Sequence, residues 1–490
     1  MKKQVYNPYL PLHVHIPDGE PHVFGDRVYV YGSHDEEGGS DFCVLDYEVW
    51  SAPVNDLTDW SCPGTAYRAK QDPTWGEKRD YAMYASDCVQ GNDGRYYLYY
   101  SMSGGHFTGP MHVAVSDKPD GPFEYYGCVR NPDGSDMTTY ITFDPAVMND
   151  EGVIRLYYGW SLEVGDHPVD SVPKDQLYAI EKSMFEKTDE QLAALPEDVM
   201  GANVVELRDD MLTIRHFPRR IVPGQLAANG TSFEGHAFFE ASSIRKIGET
   251  YYFIYSSQHQ HELCYATSRY PDRDFVFGGV LVSNGDIGIN GREKKDRLMM
   301  TGNNHGGIEC INGQWYIFYH RQTHRNTFSR QGCAEKIFFR PDGHIDQVEI
   351  TSCGPNDGPL LAQGAYPASI CCCLTNGHMI HAAMEDEKNV MPTITHDGAE
   401  HFISGIEDGV LMGYKYFAFD GDTTLYFTLR GEATGKLHVL LNDAEQGAVE
   451  IAPDAVWHTV SLPVSAKGTY ALYLKYEGEG SLDIREFAFA

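Results

Sequence analysis

Three carboxylates in this chain occupy the same place relative to three separate hairpins. Asp18 lies in HIPDGEPHVFGDRVYVYGSHD, Asp144 in ITFDPAVMNDEGVIRLYYGW and Glu240 in GHAFFEASSIRKIGETYYFIYSS. Each precedes the glycine of its own turn, Gly25, Gly152 or Gly248, by seven or eight positions. A lone acidic residue ahead of a hairpin is commonly a turn former. Equivalent placement in three hairpins, beside Phe143 and Phe238-Phe239, points to chemistry instead, because a carboxylate in apolar surroundings is costly unless paired or functional. Paired carboxyl groups are what cleavage of a glycosidic bond needs. One is protonated and gives its proton to the leaving oxygen, while the other is ionised and activates water or attacks the sugar. A third nearby raises the acid's pKa by like-charge repulsion and orients it.

Elements able to bring these residues together are visible as a repeat. GDRVYVYGSHD from Gly25, DGRYYLYYSMS from Asp93, EGVIRLYYGWS from Glu151, GETYYFIYSSQ from Gly248 and NGQWYIFYHRQ from Asn312 each join a flexible turn to an aromatic, β-branched strand. That is the hairpin pattern, and its recurrence at intervals too long for one hairpin marks the blades of a β-propeller. Five copies predict five blades, with the residue ahead of each hairpin on the innermost strand, facing the axis. The interval from Gly152 to Gly248 is the longest, and residues 175–200 within it, DQLYAIEKSMFEKTDEQLAALPEDVM, suit a helical excursion on the rim.

With 490 residues the chain exceeds the size of a single growing core, and its 49 glycines and 32 tyrosines fit an all-β protein. We expect a catalytic propeller over residues 1–352, a Gly- and Pro-rich linker over 353–377 and a β-sandwich over 378–490, where short strands alternate with turns. A formal charge of -32 disfavours nucleic acid and anionic membranes as partners, but does not repel a neutral ligand such as a small oligosaccharide. The first residues lack the apolar run of a signal peptide, and no stretch approaches a transmembrane span. Eleven cysteines without zinc-site spacing, three of them consecutive at Cys371, Cys372 and Cys373, read as free thiols in a reducing compartment. A cytoplasmic location is therefore expected, and a homo-oligomer stays open.

Order, context and spacing of the three carboxylates resemble glycoside hydrolase family 43 over roughly residues 5 to 350. The resemblance implies a five-bladed propeller that removes arabinofuranosyl or xylosyl units with inversion. Asp18 then matches the general base, Asp144 in Phe-Asp-Pro-Ala-Val the residue that tunes and orients the acid, and Glu240 the general acid. Two departures stand out: Asp18-Gly19 where the family often has Asp-Pro, and Tyr84-Ala85-Ser86-Asp87 where it has Trp-Ala-Pro-Asp. The first leaves Glu20 and Asp35 as competitors for the base, and the second makes Asp87 a structural or pocket-wall residue. Inversion requires the two main carboxyl groups to lie roughly 6.5 to 9.5 Å apart.

Other residues are read against this frame. His236 either hydrogen-bonds sugar hydroxyls or caps a turn. Arg321 and Arg330 would fix hydroxyls as similar arginines do in the family, with surface salt bridges as the alternative. Trp75, in DPTWGEK, is a candidate pocket wall. His305 holds the innermost-strand position of blade five; it is a core histidine or, as the resemblance implies, the ligand of a calcium ion on the axis, which the chemistry does not require. The strands YALYLKYEG and LDIREFAF near the C-terminus resemble a family 6 carbohydrate-binding module in rhythm but not in ligand residues. A non-catalytic sugar-binding propeller is the alternative reading, as is a related five-bladed glycosidase or a phosphorylase; the last would draw a phosphate pocket from Arg219, Arg220 and Arg321.

Overall fold

Short turns with forced left-handed residues generate the blades. In blade five Ile311 pairs with Gln314 across Asn312-Gly313, both at positive φ (51° and 85°). In blade three Asp150 pairs with Val153 across Glu151-Gly152, at 53° and 92°. Two successive left-handed residues match the twist of the strands they join, which explains why glycine recurs at this point of the repeat. In the computed structural model, which describes residues 4–73, 82–103, 109–161, 188–190, 200–382, 391–398 and 400–490, these hairpins build five antiparallel sheets. The expected helical excursion over residues 175–200 falls largely outside the described residues, as does Trp75.

The innermost strands are Glu20–Phe24, Ala82–Gln90, Ala146–Asp150, Phe238–Ile247 and Ile308–Ile311. Each packs against the next, and the fifth packs against the first, so the five sheets form a closed ring. Five apolar cores fill the wedges between blades, such as Val89, Tyr99, Val147 and Leu156 between blades two and three, and Tyr252, Ile254, Ile308 and Ile317 between blades four and five. The N-terminal segment closes the ring on blade five. The Asn7 side chain donates to the Ala334 carbonyl at 3.1 Å and accepts from the Ala334 amide at 2.9 Å, while the Asn7 amide donates to the Ser352 carbonyl.

The second domain is a ten-stranded sheet wrapped around one core, with Phe417, Phe427, Leu472 and Phe487 at its centre. Its boundary differs from expectation. Residues 353–377 are not a linker: Leu360–Leu361, Gly364–Pro367 and Cys373–Thr375 are strands of that sheet, and Leu360, Tyr366, Ile370 and Leu374 enter its core. Composition misleads here because the glycines and prolines turn a segment that is nonetheless packed.

Docking between the domains combines an apolar cluster of Met300, Met379, Ile380 and Met391 with a buried polar contact. The Lys415 ammonium donates to Asp286 at 2.7 Å and to Glu349 at 2.9 Å, with Lys415 and Asp286 both about 2% exposed. Burial raises the pKa of Asp286, and the Lys415 charge works against that rise. Removing one partner of a buried pair strands the other charge. Lys415→Ala is therefore expected to cost about 3 kcal/mol, read as a lower urea midpoint by fluorescence; an unchanged midpoint would show that the pair contributes nothing to docking.

Candidate active site

Asp18, just before the innermost strand of blade one, adopts φ 58°, a left-handed conformation that non-glycine residues seldom hold without a reason. Its carboxylate is buried and fully engaged. Ser33 Oγ donates to Oδ2 at 2.6 Å, and Arg330 Nη1 donates to Oδ1 at 2.9 Å. His320 Nδ1 lies 3.2 Å from the same Oδ1. Burial by itself would push this carboxyl up, but the Arg330 charge, with His320 and His305, outweighs it and holds Asp18 far below the usual carboxylate range.

Asp144 has the same left-handed backbone (φ 46°) and the opposite electrostatics. Burial raises its pKa well above the ordinary value, and the neighbouring charges of Glu240 and Asp18 raise it further. Its Oδ2 accepts the Ala241 amide at 3.0 Å, one residue beyond Glu240. Ala241 itself sits at φ 69°, and the pairing of Phe238–Ile247 with Thr250–Ser257 slips on both sides of Glu240. Glu240 thus stands on a β-bulge that re-aims its side chain, and Asp144 pins that bulge. Mutual repulsion in such a pair favours retaining a proton.

His305 lies between the two centres, with Nδ1 4.0 Å from Asp18 Oδ1 and 3.5 Å from Asp144 Oδ2. Burial lowers its pKa to about 4, so the ring is neutral near pH 7. Close approach of the backbone at this point demands glycine: a Cβ on Gly306 would lie 1.9 Å from the Phe318 carbonyl oxygen, and one on Gly307 would lie 2.3 Å from Glu20 Oε2. Asn303 links the surroundings of Asp18 and Glu240, its carbonyl bonded to His320 Nε2 at 2.8 Å and its side-chain amide donating to Glu240 Oε1 at 3.4 Å. Asn303 Oδ1 is a buried acceptor with no hydrogen-bond partner among the described residues. Sequence reading missed this residue, although it stands in the same Asn303-Asn304-His305 run.

Several expected roles are corrected. Arg330 is not a sugar ligand. It is 1% exposed, and its guanidinium is spent on Asp18, on both oxygens of Asp35 at 2.9 and 3.0 Å, and on Cys43 Sγ. Arg321, 3% exposed, donates to Gln331, to the Cys371 carbonyl and to the Ser369 carbonyl, so it ties blade five to the second domain. Asp87 is fully buried and not a pocket wall. Its carboxylate accepts the Cys88 and Val147 amides, both at 2.6 Å, and faces His22 Nε2 at 2.5 Å, latching blade two to blade three. Arg219 pairs with Asp272 and Arg220 with Asn203 and the Met200 carbonyl, so these arginines and Arg321 form no phosphate pocket. The two competitors for the base are also engaged elsewhere: Asp35 by Arg330, and Glu20 by Arg245 and Ser243.

His236, four residues ahead of Glu240 in the chain, remains partly exposed. Its Nδ1 lies 2.7 Å from Glu262 Oε1, and its ring stacks on Phe277 at 4.6 Å. Burial opposes ionisation of Glu262, but His236, with His259 and His261 behind it, lowers that pKa to about 2.

A family model described as glycosyl hydrolases family 43 matches residues 7–345. The chain is 42% identical to a xylosidase/arabinosidase of Thermoclostridium stercorarium, with 99% of both chains covered. It is 27% identical to a β-xylosidase of Xylanibacter ruminicola, over 68% of this chain and 97% of that one. Among solved structures, a family 43 β-xylosidase/α-arabinofuranosidase from a compost metagenome, in complex with xylotriose and in a calcium-free form, superposes with a TM-score of 0.50. It is 24% identical and covers 71% of this chain and 98% of its own.

Arg330 acts on the chemistry through Asp18, and its loss would leave burial of that carboxylate unopposed by the guanidinium. In Arg330→Met the acidic limb of the kcat/KM profile, where Asp18 gains a proton, is expected to move up by about 1 to 3 pH units. A limb that stays in place, in a variant with wild-type circular dichroism, would remove Arg330 from control of the base.

Proposed function

The chain belongs to glycosyl hydrolases family 43, and from that premise we propose that it is an exo-acting, inverting xylosidase/arabinosidase. It would release terminal xylosyl or arabinofuranosyl units from short oligosaccharides derived from plant hemicellulose. The observation that carries this reading is the electrostatic contrast inside one buried cluster: Asp18 is held ionised beside Arg330, while the pKa of Asp144 is raised beside Glu240. Names of the relatives supply the sugar class.

In the proposed reaction Asp18 accepts a proton from the water that attacks the anomeric carbon. Glu240 gives its proton to the departing oxygen. Asp144 keeps the Asp144–Glu240 pair from losing that proton early, and its bond to the Ala241 amide holds the bulge at the angle that presents Glu240. Both roles follow from general acid–base catalysis, in which each group needs a protonation state suited to its step. Asn303 Oδ1 and the exposed edge of His236 are assigned to sugar hydroxyls. His236 suits this because Glu262 and Phe277 fix its ring from two sides.

A calcium ion on the axis would take His305 as its one protein ligand, neutral because of burial, with water completing the oxygen-rich shell that calcium prefers. Its charge would favour the anions of Asp18 and Asp144, and no proton transfer passes through it. The second domain is assigned a supporting role at the propeller, and small soluble substrates fit a cytoplasmic enzyme.

Glu240→Gln and Asp18→Asn are each expected to lower kcat on aryl xylosides and aryl arabinofuranosides by about 10²- to 10⁴-fold. NMR of the first-formed sugar should show inverted anomeric configuration. Unchanged turnover in either variant would remove that residue from its role, and a retained anomer would overturn the single-displacement reading.

A further inference from the structure

Where blades one and five meet the second domain, four imidazoles surround one carboxylate. Glu37 comes from the loop after Arg27–Tyr31, His15 from the segment entering blade one, and His324 from the loop after Gln314–Gln322. The second domain contributes His396 and His401, the pair that faces across the turn end of the Thr393–His396 and His401–Ile406 hairpin. His401 Nε2 is 2.9 Å from Glu37 Oε1 and 3.2 Å from Oε2. His324 Nε2 is 3.9 Å from Oε1, and His396 Nε2 is 4.0 Å from Oε2.

Two further features separate this cluster from an ordinary polar network. His15 is 2% exposed, yet among the described residues neither ring nitrogen makes a well-formed hydrogen bond, and the His13 backbone acts on the ring only as a minor influence. One of these nitrogens lies, with a Glu37 oxygen and a His324 nitrogen, in a group of ligand atoms all within 4.8 Å of one another. Buried imidazoles almost always have a partner, so an orphan aimed at a carboxylate and a second imidazole asks for something between them. The far sides of two other rings are also fixed, as in metal sites where an outer group orients the ligand. His324 Nδ1 lies 3.0 Å from Thr323 Oγ1, and His396 Nδ1 lies 3.2 Å from the Gly398 carbonyl.

We propose that His15, Glu37 and His324 bind one transition-metal dication of the zinc class, with His401, now bonded to Glu37, moving in as the fourth ligand, and that the ion fastens the second domain to the propeller. Three imidazoles and one carboxylate are a borderline-soft, four-ligand set suited to tetrahedral zinc or cobalt and poorly suited to calcium or magnesium, which prefer oxygen. Two other groups with metal-ligand geometry already hold a cationic side chain: Arg245 donates to Glu20, and the Lys294 ammonium lies 3.0 Å from His259 Nδ1. The proposed ion bridges domains that are otherwise joined here by the bond from the His324 amide to the Ile394 carbonyl. Glu37 also lies two residues beyond Asp35, the anchor of Arg330, so the ion would steady the loop behind the base.

Cobalt(II) titration of the chelator-treated full-length protein tests the site. Wild type is expected to take up about one equivalent with the intense visible bands of tetrahedral cobalt and without a thiolate charge-transfer band. His324→Gln and His401→Gln should each weaken uptake by more than about a hundredfold, beyond the range for outer-shell changes. Zinc should raise the Tm of wild type and leave both variants unmoved. Failure of the wild type to bind, a thiolate-type spectrum, or undiminished uptake in either variant overturns the assignment, and the wild-type titration does so without depending on how a variant folds.

Discussion

Everything at the catalytic end depends on one buried guanidinium. Arg330 contacts Asp18 on one side and Asp35 on the other, in a deeply buried site. A carboxylate could not stay ionised there alone, because loss of hydration costs more than any single hydrogen bond returns. Arg330 belongs to blade five and Asp18 to the entry of blade one. Their meeting therefore requires the ring to be closed, and Asn7, bonded to Ala334 and the 351–352 backbone, closes it. Ring closure and ionisation of the proposed base are one structural event.

A second centre is governed by burial and like charge far more than by a cation. Asp144 and Glu240 come from neighbouring innermost strands and press two carboxyl groups into the same low-dielectric region, so a proton is retained. The Arg330 charge acts on Asp144 only as a minor influence, and the Ala241 amide donates a hydrogen bond to its carboxylate. The contrast with Asp18 lets two similar side chains take opposite roles across one sugar. Left-handed backbone at Asp18, Asp144 and Ala241 shows that the placement is held against local preference. Packing of the surrounding blades supplies that hold.

Much of this was legible in the residue pattern. Turn residues such as Asn312-Gly313 and Glu151-Gly152 announce hairpins because only certain side chains tolerate positive φ, and aromatic, β-branched strands announce sheets. Counting back from the turns placed Asp18, Asp144, Glu240 and His305 at one level of the repeat, and in the fold they or their immediate neighbours meet on the axis. The arginines were misread for a physical reason. An arginine that binds sugar and one that holds a buried aspartate look alike in sequence, since the difference is burial, and Arg321 and Arg330 are both buried. For Asp87 the structure favours the structural reading over the pocket-wall one, a choice the sequence left open because its partners Val147 and His22 lie in other blades. The segment 353–377 looked like a linker because Gly and Pro mark turns whether or not the strands between them are paired.

Sequence alone determined the periodic features: strand rhythm, turn chemistry, blade number and which acidic residues share a position in the repeat. These are local, since φ preference and side-chain alternation act over a few residues. Tertiary structure decided which carboxylate meets a cation, which meets another carboxylate, and which histidines converge on Glu37 from two domains. Those outcomes rest on charge and burial, both set by contacts between residues as far apart as Asp18 and Arg330 or Glu37 and His401. No local pattern encodes them, because the energy of a charge depends on everything folded around it.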